Sequence, residues 1–132
     1  MWELTKSFRF EAAHSLPNTT LGEASEEIHG HSFRAEVTLR GTADPRTGMV
    51  LDLGLLARSI AEVQGSLDHK FLNRIEALGL PTLENLSRFI FERIQHAGVL
   101  GDSHLRQQVP GRLTSSPRLL RVAGLHQSQK PR

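Results

Sequence analysis

Two segments of the sequence alternate between apolar and polar residues, and this period-2 pattern is typical of half-buried β-strands. The residues that share the apolar faces are Phe8, Phe10, Ala12 and His14 in segment 3–14, and Phe33, Ala35, Val37 and Leu39 in segment 31–40. A strand with one apolar face needs another layer to cover that face. The pattern therefore predicts two strands of a sheet that is covered on one side.

Two later segments carry apolar residues at helical spacing and predict amphipathic helices over 53–66 and 83–97. Asp52 and Thr82 precede them as N-cap residues, and Gly98 is expected to end the second helix. The apolar faces are Leu53, Leu56, Ile60, Val63 and Leu67 in the first helix, and Leu83, Leu86, Ile90, Ile94 and Ala97, with Phe89 beside them, in the second. The order strand, strand, helix, helix predicts an α+β fold, an antiparallel β-sheet with both helices on one face.

The C-terminal quarter of the chain differs in charge from the rest. Residues 1–100 hold 10 Lys and Arg against 13 Asp and Glu, whereas residues 101–132 hold 6 against 1. This end also shows no clear alternation and is rich in Gln, Ser and Pro. We therefore expect a domain over 1–100 and a divergent, basic and poorly ordered tail over 101–132. The tail has no aromatic residue to stack on bases, so nucleic acid is not an expected partner.

Composition excludes several classes of site. The chain has no cysteine, which rules out disulfides, thiolate zinc sites, iron–sulfur clusters and cysteine nucleophiles. Any metal must therefore be held by His, Asp or Glu. No apolar run reaches the roughly 20 residues of a membrane helix, and the first residues do not resemble a secretory signal, so we expect a cytoplasmic protein without membrane contact.

Three histidines lie where the predicted strands would meet. His29 and His31 continue the apolar face of the second strand, and His14 ends that of the first. If the strands pair antiparallel across the 15–28 loop, the three imidazoles come together. Three histidines with an open fourth position are the ligand set of a catalytic zinc ion. The alternative is that each is a structural histidine bonded to a backbone carbonyl.

Other polar residues have both a chemical and a structural interpretation. Asp68 next to His69 could orient the imidazole as a general base, or the two could simply close the first helix. Glu26, three residues before His29, could reach a substrate on the metal, or supply surface charge only. Thr82 and Glu84 fit a helix cap and a first-turn acid.

Five segments together resemble the 6-pyruvoyltetrahydropterin synthase and 6-carboxytetrahydropterin synthase family, and they occur in the family's order. They are FEAAHSL at 10–16, EEIHGHSFRAEVTLRG at 26–41, TGMVLDLGLL at 47–56, LDHKFLN at 67–73 and PTLENLSRFIFERI at 81–94. The resemblance implies a tunnelling fold whose subunits form a homo-oligomeric barrel, a trimer or hexamer, with pterin sites at the subunit interfaces.

The resemblance also implies roles for individual residues. It implies that Zn²⁺ is bound by His14, His29 and His31, that Asp68 and His69 belong to a proton relay, and that the segment at Thr82 and Glu84 helps to hold the pterin. The implied activity is a zinc-dependent lyase that converts dihydroneopterin triphosphate to 6-carboxytetrahydropterin, on the queuosine and deazapurine route, or to 6-pyruvoyltetrahydropterin.

The sequence departs from the family pattern in two places. Ser25 stands where the main branches carry a cysteine, and Glu26 matches a variant branch with E-x-x-H-G-H. In that branch Glu replaces the cysteine, and the branch is linked to cleavage of dihydroneopterin to 6-hydroxymethyldihydropterin for folate synthesis. The resemblance to it implies that Glu26 is the general base, while the sequence leaves open whether Glu26 or Ser25 takes the place of the cysteine. The last Glu in the chain is Glu92, so the carboxylate that anchors the pterin in the family is missing from the tail. Either the fold is completed irregularly or this C-terminus is aberrant, as a reading-frame shift would produce. Besides the two enzyme activities, a third candidate function is that of an inactive protein that binds zinc or pterin.

Overall fold

The two alternating segments form the centre of the sheet. They are β1 (Trp2–His14) and β2 (His29–Gly41), which pair antiparallel from Trp2 opposite Gly41 to His14 opposite His29. The structure is a computed structural model that describes residues 2–17, 26–96, 105–107 and 118–129, with side chains described for 2–17 and 26–94. Both predicted strands and their antiparallel pairing are confirmed.

Two helices cover one face of this sheet, as predicted. They are α1 (Leu53–Leu67) and α2 (Leu83–His96). Asp52 caps α1, since its Oδ1 accepts the Gly54 N–H at 2.7 Å, and Thr82 Oγ1 accepts the Asn85 N–H at 3.2 Å at the start of α2. Gly98 and Ala97 lie outside the described residues. Within the described part of the chain, neither helix has the length and apolar character needed to cross a bilayer.

The core lies between these helices and the apolar sheet face. Its side chains come from the alternating strand positions and the helical stripes, and include Phe8, Phe10, Phe33, Ala35, Val37, Leu39, Leu56, Ile60, Val63, Leu67, Leu86, Phe89, Ile90 and Ile94. One prediction is wrong: Leu53, expected on the buried stripe of α1, is 54% exposed. It is the first residue of the helix, and the buried stripe begins one turn later at Leu56.

Three further strands of the described residues belong to the same sheet. β3 (Lys70–Phe71) pairs parallel with β1, β5 (Arg118–Gln129) pairs antiparallel with β2, and β4 (Leu105–Gln107) pairs parallel with β5. The order across the sheet is β3-β1-β2-β5-β4. The α+β class is therefore confirmed, with a mixed sheet whose centre is antiparallel and whose two outer pairings are parallel.

The strand β5 lies in the region that the sequence predicts to be a poorly ordered tail. The backbone of residues 118–129 pairs with β2, which agrees with the alternative that the fold is completed irregularly. The register shifts between Arg34 and Glu36, which face His126 and Ala123, so that β5 carries one extra residue there. Such a bulge inverts the alternation of side chains along a strand, and a period-2 search then finds no continuous pattern. The division of the chain at residue 100 stays a prediction.

Candidate metal centre

The antiparallel pairing brings the three histidines of β1 and β2 together. His14 lies directly opposite His29, and His31 lies opposite Ala12, two residues before His14. The ring centroids are 4.6 Å apart for His14 and His29, 4.9 Å for His14 and His31, and 4.6 Å for His29 and His31. One ligand nitrogen from each ring lies within 4.8 Å of the others. The convergence expected from the alternation is confirmed.

Burial keeps two of these imidazoles in the form that binds metals. Burial, with smaller contributions from the neighbouring His14 and His29, lowers the pKa of His31 to about 4. Burial also lowers the pKa of His14; a hydrogen bond to the Pro81 carbonyl opposes this shift, and His29 adds to it. Both rings are therefore neutral at pH 7, as a metal-ligating histidine must be.

Backbone carbonyls orient two of the rings. His14 Nδ1 lies 2.9 Å from the Pro81 carbonyl oxygen, and His29 Nδ1 lies 2.8 Å from that of Glu27. Because a carbonyl only accepts, each Nδ1 donates its hydrogen, and each Nε2 keeps its lone pair for a ligand. His14 Nε2 and His31 Nδ1 are buried and have no hydrogen-bond partner among the described residues. Buried nitrogens without a partner are costly, and a metal ion at the cluster fits this donor set.

Asp68 and His69 follow α1 and form a pair held against β1. Asp68 Oδ2 lies 2.9 Å from His69 Nδ1. Asp68 Oδ1 accepts the Glu11 N–H at 2.8 Å, and the His69 N–H donates to the Glu11 carbonyl at 2.6 Å. Two hydrogen bonds hold the pKa of Asp68 below its usual value. The larger effect comes from the Glu11 N–H, and the smaller one from the His69 side chain. The carboxylate is thus ionised and fixed in position beside the imidazole.

His69 adopts the left-handed backbone conformation, with φ of 57°. This conformation costs a residue with a side chain about 1 kcal/mol or more, and such strain is concentrated at functional sites. The side chain is 79% exposed, so packing does not require this geometry. The hydrogen bond from the His69 N–H to the Glu11 carbonyl restrains the backbone at this position.

One cleft connects the histidine cluster with this pair. It has a volume of about 360 Å³ and is lined by Glu11, Ala12, Ala13, Gly30, His31, His69, Lys70 and Phe71. The Glu11 carboxylate accepts the Ser32 hydroxyl at 2.7 Å across the two central strands. We refer to this space as the His31–His69 cleft. One histidine of the cluster and the imidazole of the Asp68–His69 pair therefore face the same space.

The remaining candidate residues lie elsewhere. Glu26 is exposed, and its carboxylate forms no hydrogen bond or ion pair with the described residues; Ser25 lies outside them. Thr82 caps α2 and directly follows Pro81, whose carbonyl holds His14, while Glu84 is exposed in the first turn. The roles expected for Glu26, Thr82 and Glu84 stay predictions, as do those of the histidines, Asp68 and His69.

The structure adds contacts that the sequence does not reveal. Pro81 and Glu27 act through backbone carbonyls, for which no side-chain pattern exists. Asn73, in the last position of LDHKFLN, bonds to the backbone of Ser15 through its side-chain amide. In the sequence, the only signal for this contact is that Asn73 lies within a segment that matches the family.

Comparisons with known proteins find relatives that match most of this chain. The sequence model described as 6-pyruvoyl tetrahydropterin synthase matches residues 3–109. A 6-carboxy-5,6,7,8-tetrahydropterin synthase from Synechocystis is 40% identical over 76% of this chain and 81% of its own length. A dihydroneopterin monophosphate aldolase from Pyrococcus furiosus is 37% identical over 74% of this chain and 78% of its own. The solved structure of Caenorhabditis elegans 6-pyruvoyl tetrahydropterin synthase has a TM-score of 0.63 at 29% identity, covering 76% of this chain and 80% of that one.

Proposed function

Because this chain belongs to the 6-pyruvoyl tetrahydropterin synthase family, we propose that it is a zinc-dependent pterin lyase. The proposed substrate is dihydroneopterin triphosphate, and the proposed product is 6-carboxytetrahydropterin or 6-pyruvoyltetrahydropterin. The name of the Synechocystis relative supports the first product. We further propose that the protein works in the cytoplasm as a homo-oligomer of three or six subunits with pterin sites between them, the first product serving the queuosine and deazapurine route.

One observation carries this proposal. The ligand nitrogens of His14, His29 and His31 lie within 4.8 Å of one another, and His31 lines the same cleft as His69. Two of the buried ring nitrogens have no hydrogen-bond partner among the described residues, which is the condition expected of ligand atoms. A lyase of this kind needs a site for a polar side chain and a group that moves protons, and the cleft offers both.

The histidine cluster would hold the zinc ion. Imidazole nitrogens suit Zn²⁺, and three protein ligands leave a position open. A zinc ion held there would act as a Lewis acid toward the hydroxyl groups of the substrate side chain and would lower their pKa. The carbonyls of Pro81 and Glu27 orient His14 and His29, which preserves the ring positions in the metal-free protein.

His69 would move the proton. Its Nδ1 is held by Asp68, which leaves Nε2 as the nitrogen that takes or delivers a proton in the cleft. The ionised Asp68 stabilises the imidazolium that forms when Nε2 accepts a proton. Because the Glu11 backbone binds both residues of the pair, the imidazole keeps its position relative to β1 throughout this step.

Product analysis by mass spectrometry tests the proposal. Metal-stripped and zinc-loaded protein are each incubated with dihydroneopterin triphosphate, and 6-carboxytetrahydropterin or 6-pyruvoyltetrahydropterin is expected only with zinc. His31→Ala should abolish the product. Ser66→Ala, which removes only a hydrogen bond to the Glu62 carbonyl within α1, serves as the control. Equal product from stripped and loaded protein would contradict the proposed metal dependence.

A second candidate activity is cleavage of dihydroneopterin to 6-hydroxymethyldihydropterin, on the folate route, with Glu26 as the general base. Glu26 three residues before His29 and the name of the Pyrococcus relative favour it. The same assay with dihydroneopterin as substrate distinguishes the two activities. Glu26→Gln should then stop turnover, whereas Glu62→Gln, at an exposed carboxylate of α1, should not. Tight pterin binding with no product from either substrate would instead identify an inactive zinc- or pterin-binding protein.

A further inference from the structure

The segment that follows α1 lies along the end of β1 and is bonded to it at successive positions. Asp68 and His69 bind both backbone groups of Glu11. Residues 70 and 71 then pair in parallel with residues 12 and 13 of β1. Two residues further on, Asn73 reaches Ser15. The chain from 68 to 73 therefore follows β1 from residue 11 to residue 15, on both sides of His14 in sequence.

Asn73 makes the last of these contacts with its side chain. Its Oδ1 accepts the Ser15 N–H and its Nδ2 donates to the Ser15 carbonyl, both at 2.9 Å. A primary amide presents the same donor and acceptor as a peptide group. β1 ends at His14, so Asn73 bonds the backbone one residue beyond the last position that pairs with β2. The amide thus replaces the strand partner that the backbone of Ser15 would otherwise lack at this edge.

His14 is consequently held at two points by the segment that connects α1 to α2. Its ring is oriented by the Pro81 carbonyl, and the residue after it is fixed by the Asn73 amide. A strand end without such restraint loses backbone order, and this order must be restored when three ligands converge on one ion. Partners of this kind outside the ligand set typically change metal affinity when they are removed.

We propose that Asn73 is a positioning residue for the metal centre, acting through the backbone of Ser15 on the ligand His14. The inference rests on the proposed function, in that it takes the histidine cluster as the metal site. It assigns to the final residue of LDHKFLN a role distinct from that of the Asp68–His69 pair, which lies in the same segment.

The test is the affinity of the purified full-length protein for Zn²⁺, measured by competition with a coloured chelator, together with the visible absorption spectrum of the Co²⁺-loaded protein. Asn73→Ala should weaken Zn²⁺ binding about tenfold or more and change the Co²⁺ spectrum. Gln64→Ala is the matched control, because Gln64 Nε2 donates to the Arg9 carbonyl of the same strand at 2.6 Å, five residues before His14. Its Zn²⁺ affinity and its Co²⁺ spectrum should remain those of the parent protein.

A second variant separates positioning from a general loss of folding. Asn73→Asp keeps the size of the side chain but sets a carboxylate oxygen against the Ser15 carbonyl, so its Zn²⁺ affinity should fall as in Asn73→Ala while both variants keep the far-ultraviolet circular dichroism of the parent protein. Unchanged Zn²⁺ affinity in Asn73→Ala, or an equal loss in Gln64→Ala, would overturn the inference while leaving the metal centre intact. A parent protein that does not bind Zn²⁺ would instead refute the proposed metal centre, and the inference with it.

Discussion

The metal-free protein should lose stability on acidification because of His31. Its imidazole is buried, and its pKa falls from 6.5 to about 4 in the folded state. A histidine with a lowered folded pKa binds its proton more readily when unfolded, so its contribution to stability is present above pH 6.5 and is lost as the pH falls toward 4. Linkage gives an upper bound of about 2 kcal/mol lost by pH 5 and about 3 kcal/mol by pH 4.

Urea unfolding of the metal-free protein at pH 7 and pH 5 measures this loss. Carboxylates also titrate in this range, so the informative quantity is the difference between the parent protein and His31→Phe, which has no titrating group at position 31. Between pH 7 and pH 5, the free energy of unfolding of His31→Phe should fall by about 2 kcal/mol less than that of the parent protein. Its urea midpoint should accordingly fall by about 1 M less. Ser66→Ala is the control, because it changes no titrating group and affects a hydrogen bond within α1, so its acid loss should equal that of the parent protein. An equal acid loss in the parent protein and His31→Phe would refute the reasoning.

Three further outcomes are expected from individual residues. Asp68→Asn should lower kcat at least about tenfold, because it removes the charge that stabilises the His69 imidazolium. Steady-state kinetics would show this loss, and metal titration should show an unchanged Zn²⁺ affinity; weaker zinc binding would contradict the assignment. His69→Gly should raise the free energy of unfolding by about 1 kcal/mol while abolishing turnover, since glycine accepts the left-handed backbone without strain. Phe10→Ala should cost about 3–5 kcal/mol in urea unfolding, because the ring is fully buried and stacks on Phe33 at a centroid distance of 4.9 Å; a loss below 1 kcal/mol would contradict the described core.

The part of the site that the sequence predicts is the part encoded in local periodicity. His14, His29 and His31 could be placed together because alternation fixes the face of each residue and antiparallel pairing fixes which strand ends meet. Helix caps at Asp52 and Thr82 follow from local hydrogen-bonding chemistry in the same way.

Features that depend on tertiary backbone contacts could not be predicted in this way. The Pro81 carbonyl that orients His14 belongs to a residue whose side chain carries no such signal. The left-handed backbone of His69 follows from bonds to Glu11, 58 residues earlier in the chain. β5 could not be predicted from alternation because its bulge interrupts the period-2 pattern on which strand prediction depends.

The position of the cluster at one end of the β1–β2 pair has a consequence for folding. His14 and His29 face each other where the two strands leave for the 15–28 connection, so an ion bound by both would tie the ends of that connection together. In the unfolded chain such a link would act as a reversible crosslink around a short loop, and closing a loop of about 15 residues is worth about 3 kcal/mol of chain entropy in the simplest estimate. Because all three ligands belong to the same pair of strands, the ion could bind as soon as that pair forms, before the helices dock. Metal supply during folding would then favour this strand pair over competing registers, independently of any catalytic use of the ion.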